Sequence, residues 1–182
     1  MENEHYYTTI NDKLKLPDSY YRSIFMKQRR LNREKSILDK LSMIKDDVDI
    51  CYNSVNNSIN YEITFMLRNG TYIIYKIPHH YPFKSPRMYI NGSNYIDMLC
   101  VKDEFTRNEL ISYGITECLC KNSLVCHNNW SPAITLDKIL HEYINHKKIM
   151  STIIKKRWLT WAWYKKEINA PELIDKIMFF VN

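Results

Sequence analysis

Residues 118–135 read CLCKNSLVCHNNWSPAIT and place Cys118, Cys120 and Cys126 within nine residues, with His127 directly after the last. Such a cluster can do three things. One accessible thiolate can act as nucleophile and leaving group in acyl transfer, which needs exposure, a rigid loop and a donor for the developing oxyanion. Three thiolates and an imidazole, Cys118, Cys120, Cys126 and His127, can hold zinc. Alternatively, the thiols are inert filler. A Cys-x-Cys pair and an adjacent Cys-His pair are both poor zinc spacings, although a metal would help to order a segment with little apolar core of its own. Cys51 sits in strand-like sequence and reads as core, while Cys100 has no assigned role.

Other chemistry-bearing residues carry weaker signals. His79 and His80 precede a Tyr-Pro step, and His141 and His146 do not have the spacing of a zinc-protease pair. The chain has no Gly-x-Ser-x-Gly, no Walker loop and no paired-carboxylate signal.

These residues need a scaffold. With 182 residues and 45% apolar content, the chain can bury one sizeable core. Only three glycines are present, which argues against glycine-rich phosphate loops. The net charge of +6 suits an acidic partner but is too mild to be a nucleic-acid signature. Five cysteines is an odd number, the start MENEHYYTTI is polar, and no apolar run is long enough to span a bilayer. The expectation is a reducing compartment, cytoplasm or nucleus, with free thiols. Abundant Asn, Ile, Lys and Tyr point to an AT-rich genome such as that of a large DNA virus or a protist.

Three parts are expected: a loose arm over 1–17, a domain over 18–150, and a helical extension over 151–182 packed on that domain. Asp18 and Ser19 can cap a helix that runs from Tyr20 to about Ile44, with Ile24, Phe25, Leu31, Ile37, Leu38, Leu41 and Ile44 at helical spacing. Lys27, Arg29, Arg30, Arg33 and Lys35 form its basic face. The stretches DICYNSV, INYEITFML, TYIIYKI and RMYI then read as four strands of an antiparallel meander, with Asn69-Gly70 as a hairpin turn. Pro78, Pro82 and Pro86 exclude regular helix between the last two strands. Residues 93–129 show no period and read as one long functional loop. Ser131 and Pro132 open a further helix with Ile134, Ile139, Leu140, Tyr143 and Ile144 on its apolar side. Trp158 and Trp161 share a helical face, which favours packing on the sheet or on a last helix over 171–181. The fold class is α+β.

Two motifs stand in order within this plan. HYPFKSPRMYI (80–90) resembles the Tyr-Pro-Phe-x-x-Pro turn after the third strand of ubiquitin-conjugating enzymes. NNWSPAITLDKIL (128–140) resembles the Trp-Ser-Pro-Ala-x-Thr that leads into their second helix. The resemblance covers about residues 20–145 and rests on Tyr81, Pro82, Pro86, Trp130 and Pro132. Independently of it, Tyr81 and Phe83 are expected in the core, and Trp130 is expected to wedge beneath the loop. The resemblance implies a UBC-like fold and a cysteine that carries ubiquitin, or a ubiquitin-like modifier, as a thioester for transfer to lysine. It also implies an activating enzyme and a ubiquitin ligase as partners, and it needs no cofactor. NSLVC most resembles the family's cysteine segment and points to Cys126, presented by a short strand at Leu124-Val125. Cys120 and Cys118 are alternatives, ten and twelve residues before Trp130. The family's His-Pro-Asn is absent, so Asn122 and Asn128 are the candidate oxyanion donors, with Asn108 and Asn129 behind them. The basic face of the first helix, Lys27, Arg29, Arg30 and Arg33, would dock the activating enzyme. The alternative function is an inactive adaptor or scaffold on the same fold, with the cysteines stabilised by zinc.

Overall fold

The computed structural model describes residues 18–55, 58–115 and 119–164. The 1–17 arm, Cys118 and the segment after Pro171 lie outside the described residues. Helix α1 (Asp18–Leu38) leads into strands β1 (Asp49–Val55), β2 (Ser58–Met66), β3 (Tyr72–Ile77), β4 (Arg87–Ile90) and β5 (Ser93–Asn94). Helices α2 (Tyr95–Met98), α3 (Glu104–Ser112), α4 (Leu119–Asn122) and α5 (Leu136–Tyr164) follow. The strands form one sheet in sequence order, with every neighbouring pair antiparallel.

Alternation along the strands sends one set of side chains inward. Tyr61, Ile63 and Phe65 of β2, Ile73, Tyr75 and Ile77 of β3, and Met88 and Ile90 of β4 are buried. They share a core with Leu31 and Leu38 of α1 and with Leu136, Ile139, Leu140 and Tyr143 of α5. The hydroxyl of Tyr75 donates to the Leu136 carbonyl at 3.0 Å, which ties the middle of the sheet to the start of α5.

The structure departs from the sequence expectations at definable points. Helix α1 stops at Leu38, not near Ile44. The Asp39 carboxylate accepts the Val48 N–H at 3.1 Å and pairs with Lys35, which turns the chain back toward β1. The sheet has a fifth strand, because Asn91 (φ 48°) and Gly92 (φ 85°) form a tight reversal instead of ending the sheet. Two successive positive φ angles suit the natural twist of a two-residue hairpin, and Asn tolerates them best after Gly. The stretch read as a featureless loop contains three short helices. Asn94 and Asp103 cap two of them, accepting N–H groups from Ile96 and Thr106.

At the other end of the chain, α5 passes through residue 150 unbroken, so the expected domain edge at that point lies within a helix. Trp158 and Trp161 are 62% and 47% exposed and meet each other edge to face at 5.7 Å, rather than packing on the sheet. Lys156 and Arg157 of α5 reach Glu109 and Asp103 at 2.7 and 3.3 Å. No helix among the described residues is long and apolar enough to cross a membrane.

Candidate functional site

The turn between β3 and β4 is the first wall of the site. A cis Tyr81-Pro82 bond reverses the chain, and the N–H groups of Phe83 and Lys84 both bond the His80 carbonyl, at 2.8 and 3.1 Å. Lys27 of α1 holds the start of this turn through its ammonium, at 3.0 Å from the Pro78 carbonyl. Tyr81 is buried, as its motif suggested, but Phe83 is 81% exposed. In a turn without regular period, hydrophobicity alone does not set which way a side chain faces.

Glu34 of α1 anchors that wall. Its carboxylate is buried and accepts from the Arg30 guanidinium at 2.6 Å, the Tyr81 hydroxyl at 3.0 Å and the Leu136 N–H at 2.9 Å. The last bond supplies one of the orphan donors at the start of α5. Arg30 also donates to the Ile134 carbonyl at 3.1 Å. Burial and the Glu34 charge push the Tyr81 hydroxyl well above its ordinary pKa, despite the opposing charge of Arg30, so it stays a donor.

The second wall is the loop from α4 to Trp130. Leu119, Ser123 and Val125 are buried, and Cys126 is half-buried with a free thiol. Leu124 and Val125 lie in a turn, not in the short strand that the sequence suggested. The Cys126 N–H bonds the Ser123 carbonyl at 3.0 Å, and the Cys126 carbonyl accepts from the N–H groups of Asn129 and Trp130, each at 3.0 Å. Cys126 therefore joins two tight turns. The side-chain amide of Asn129 bonds the Lys121 and Ser123 carbonyls at 2.5 and 3.1 Å, which braces the same segment.

Trp130 closes the two walls on each other. Its indole N–H donates to the Pro82 carbonyl at 2.7 Å, and its ring lies 6.1 Å from that of Tyr81. A groove of about 510 Å³ runs alongside, lined by His80, Phe83, Lys84, Ser85, His127 and Trp130. Two motifs 48 residues apart in sequence thus meet beside the residue that follows Cys126.

A third set of contacts lies beneath the thiol loop. Glu142 of α5 accepts from the Ser123 hydroxyl at 2.6 Å, the Leu124 N–H at 2.6 Å and the Tyr95 hydroxyl at 3.0 Å. His146 Nδ1 is 2.6 Å from the same Tyr95 hydroxyl. Burial lowers the His146 pKa against the pull of the Glu142 charge. Burial and the Glu142 charge raise that of Tyr95.

Several expected site residues fall elsewhere or take other roles. Cys120 is disulfide-bonded, so it offers neither a free nucleophile nor a zinc thiolate. No group of three or more His, Cys, Asp or Glu among the described residues is arranged to hold a metal; Cys118 of the four-ligand zinc set lies outside them. Asn122 and Asn128 are exposed at either end of the thiol turn. Of the basic face, Arg29 and Arg33 are exposed, whereas Lys27 is buried and Arg30 is committed to Glu34 and Ile134. Burial lowers the Lys27 pKa. The sequence reading passed over Glu34, Glu142, Ser123 and Tyr95. The signal was present for the two glutamates: Glu34 falls between Leu31 and Leu38, and Glu142 between Ile139 and Tyr143, on otherwise apolar stripes.

No protein-family model, curated protein or solved structure matches the chain.

Proposed function

We propose that the chain is a UBC-like domain that carries ubiquitin, or a ubiquitin-like modifier, as a thioester on Cys126 and passes it to a lysine amine. One observation carries this reading. The Tyr-Pro-Phe turn and the Trp-Ser-Pro segment, recognised separately in sequence, are joined by the Trp130–Pro82 hydrogen bond beside a loop with a free thiol. In the proposed reaction, the Cys126 thiolate attacks the modifier's thioester on the activating enzyme. A new carbon–sulfur bond forms and the activating enzyme's cysteine leaves as thiolate. A lysine amine then attacks the same carbonyl, the Cys126–carbon bond breaks, and the amine proton goes to solvent or a nearby base. No metal enters this sequence.

The test is a charging assay with activating enzyme, ATP and modifier, read on non-reducing gels. Wild type should give a reductant-sensitive adduct, Cys126→Ser a reductant-stable oxyester, and Cys126→Ala nothing. Cys118→Ala should still charge. A Cys126→Ala protein that charges normally removes this nucleophile, and no adduct with any of several activating enzymes and modifiers removes the enzyme reading.

A second reading, a UBC-like adaptor that binds a modifier without a thioester, draws on a specific feature. The chain has no His-Pro-Asn, and the Asn129 amide is spent on two backbone carbonyls. That leaves the oxyanion to the exposed Asn122 and Asn128, neither of which stands in the family's motif. Saturable binding of the modifier in titration, with no adduct, supports the adaptor.

A further inference from the structure

Ser123 is the hub of the thiol loop. It is fully buried, three residues before Cys126. Its hydroxyl donates to Glu142 at 2.6 Å and accepts the Val125 N–H at 3.3 Å. Its carbonyl accepts the Cys126 N–H at 3.0 Å and the Asn129 amide at 3.1 Å. The other Glu142 oxygen takes the Leu124 N–H at 2.6 Å. The struts on the N-terminal side of the thiol therefore end, directly or through Ser123, on one carboxylate of α5. Buried side chains contribute little here: between Asn122 and Trp130 only Ser123 and Val125 are buried. Two short, charge-assisted bonds from a helix side chain are the strong contacts available.

From this geometry we infer that Glu142 is a positioning residue that clamps the Cys126 turn onto α5, acting through Ser123 and Leu124, and thereby sets the accessibility of the thiol. The catalytic half of this inference rests on the thioester reading above; the clamp itself does not. A carboxylate suits the task because its two oxygens accept from the two neighbouring residues at once. Glutamine keeps one acceptor oxygen for the Leu124 N–H and replaces the oxygen shared by the Ser123 and Tyr95 hydroxyls with an uncharged N–H₂ donor, so the charge-assisted bond to Ser123 is lost without a large change in shape.

The experiment measures alkylation of the folded protein by iodoacetamide, resolved by cysteine with mass spectrometry. Cys51, expected from the sequence in the core, and Cys100 are exposed free thiols outside the Cys126 turn and act as internal standards. Loss of one charge-assisted bond corresponds to about a tenfold shift in a local opening equilibrium. Glu142→Gln should therefore raise the Cys126 rate about tenfold and leave Cys51 and Cys100 within twofold. Ser123→Ala, the milder change, should act in the same direction. The double variant should add little to Glu142→Gln alone, because both changes break the same strut. If the protein charges, Glu142→Gln should lower the turnover number of charging, with the KM for the loaded activating enzyme unchanged. A Cys126 rate unmoved in both single variants overturns the clamp, as does a uniform rise at all three cysteines, which is general loosening. Should Glu142→Gln not fold, Ser123→Ala alone decides by the same two criteria. A Cys126-selective rise in a protein that never charges keeps the clamp and removes the thioester reading, so the two fail separately.

Discussion

Glu34→Ala probes the wall of the groove most directly. The carboxylate takes three donors that sit on separate elements: Arg30 on α1, Tyr81 in the β3–β4 turn and the Leu136 N–H at the start of α5. Alanine leaves all three without it. The Arg30 side chain retains 21% exposure and can recover water, so its share is small. The Tyr81 hydroxyl and the Leu136 N–H are buried, and an orphaned buried donor costs about 1–3 kcal/mol. The total expected is about 3–5 kcal/mol, the range found when one partner of a buried ion pair is removed. For a chain of this size that corresponds to a Tm drop of about 6–20 °C.

Thermal and urea unfolding, followed by far-ultraviolet circular dichroism, provide the assay. Tyr81→Phe removes one of the three bonds and should cost about 1 kcal/mol. Combined with Glu34→Ala it should cost less than the sum, because the partner has already gone. Glu34→Leu with Arg30→Met removes both charges and should recover part of the loss. A Glu34→Ala protein within about 1 kcal/mol of wild type would refute the reasoning, since an uncompensated set of buried donors cannot be that cheap.

Trp130→Phe keeps a ring against Tyr81 but deletes the donor to Pro82, and should lower stability by about 1 kcal/mol, seen as a urea-midpoint shift at unchanged slope. Folded His146 binds its proton more weakly than unfolded histidine, near pH 6.5, so the unfolded chain takes up more protons as pH falls through and below that value. Stability should therefore drop on acidification in that window, and His146→Asn should flatten the drop; an unaltered pH profile of Tm rejects the assignment. The double reversal Arg29→Glu with Arg33→Glu should slow charging at unchanged Tm, whereas Arg30→Glu should lower Tm because it opposes Glu34. Equal charging rates in wild type and the double variant would remove the α1 docking face.

The parts of the fold that were legible in the sequence are those fixed by neighbours in the chain. Strands β1 and β4 match DICYNSV and RMYI to the residue, and β3 starts one residue into TYIIYKI, because period-two alternation and the Asn69-Gly70 turn are local signals. The end of α1 was illegible because Asp39 stops it by reaching a residue nine positions on. The fifth strand was missed because Asn91-Gly92 both ends one strand and begins the next. The site was half legible. Its two motifs were read from sequence, but their junction through Trp130 is a contact across 48 residues, and Glu34 reaches Leu136 across 102.

Why the two walls are held by helix carboxylates rather than by apolar packing follows from what the loops contain. A strand or helix can bury a stripe of side chains and so fix its own register. The β3–β4 turn and the thiol loop cannot: Tyr81 and Pro86 are buried in the first, and Leu119, Ser123 and Val125 in the second. Dispersion contacts are non-directional and would hold such a loop close without fixing which backbone group sits where. A carboxylate on a rigid helix accepts along defined directions and leaves its donors unsatisfied in any shifted register, so the alternatives are penalised as well as the native arrangement favoured. Glu34 does this for Tyr81 and the first turn of α5, and Glu142 does it for Ser123 and Leu124. The Trp130–Pro82 bond then sets one wall against the other. The geometry around Cys126 is in this sense determined from the helices outward, by two acidic residues that interrupt the apolar stripes of α1 and α5.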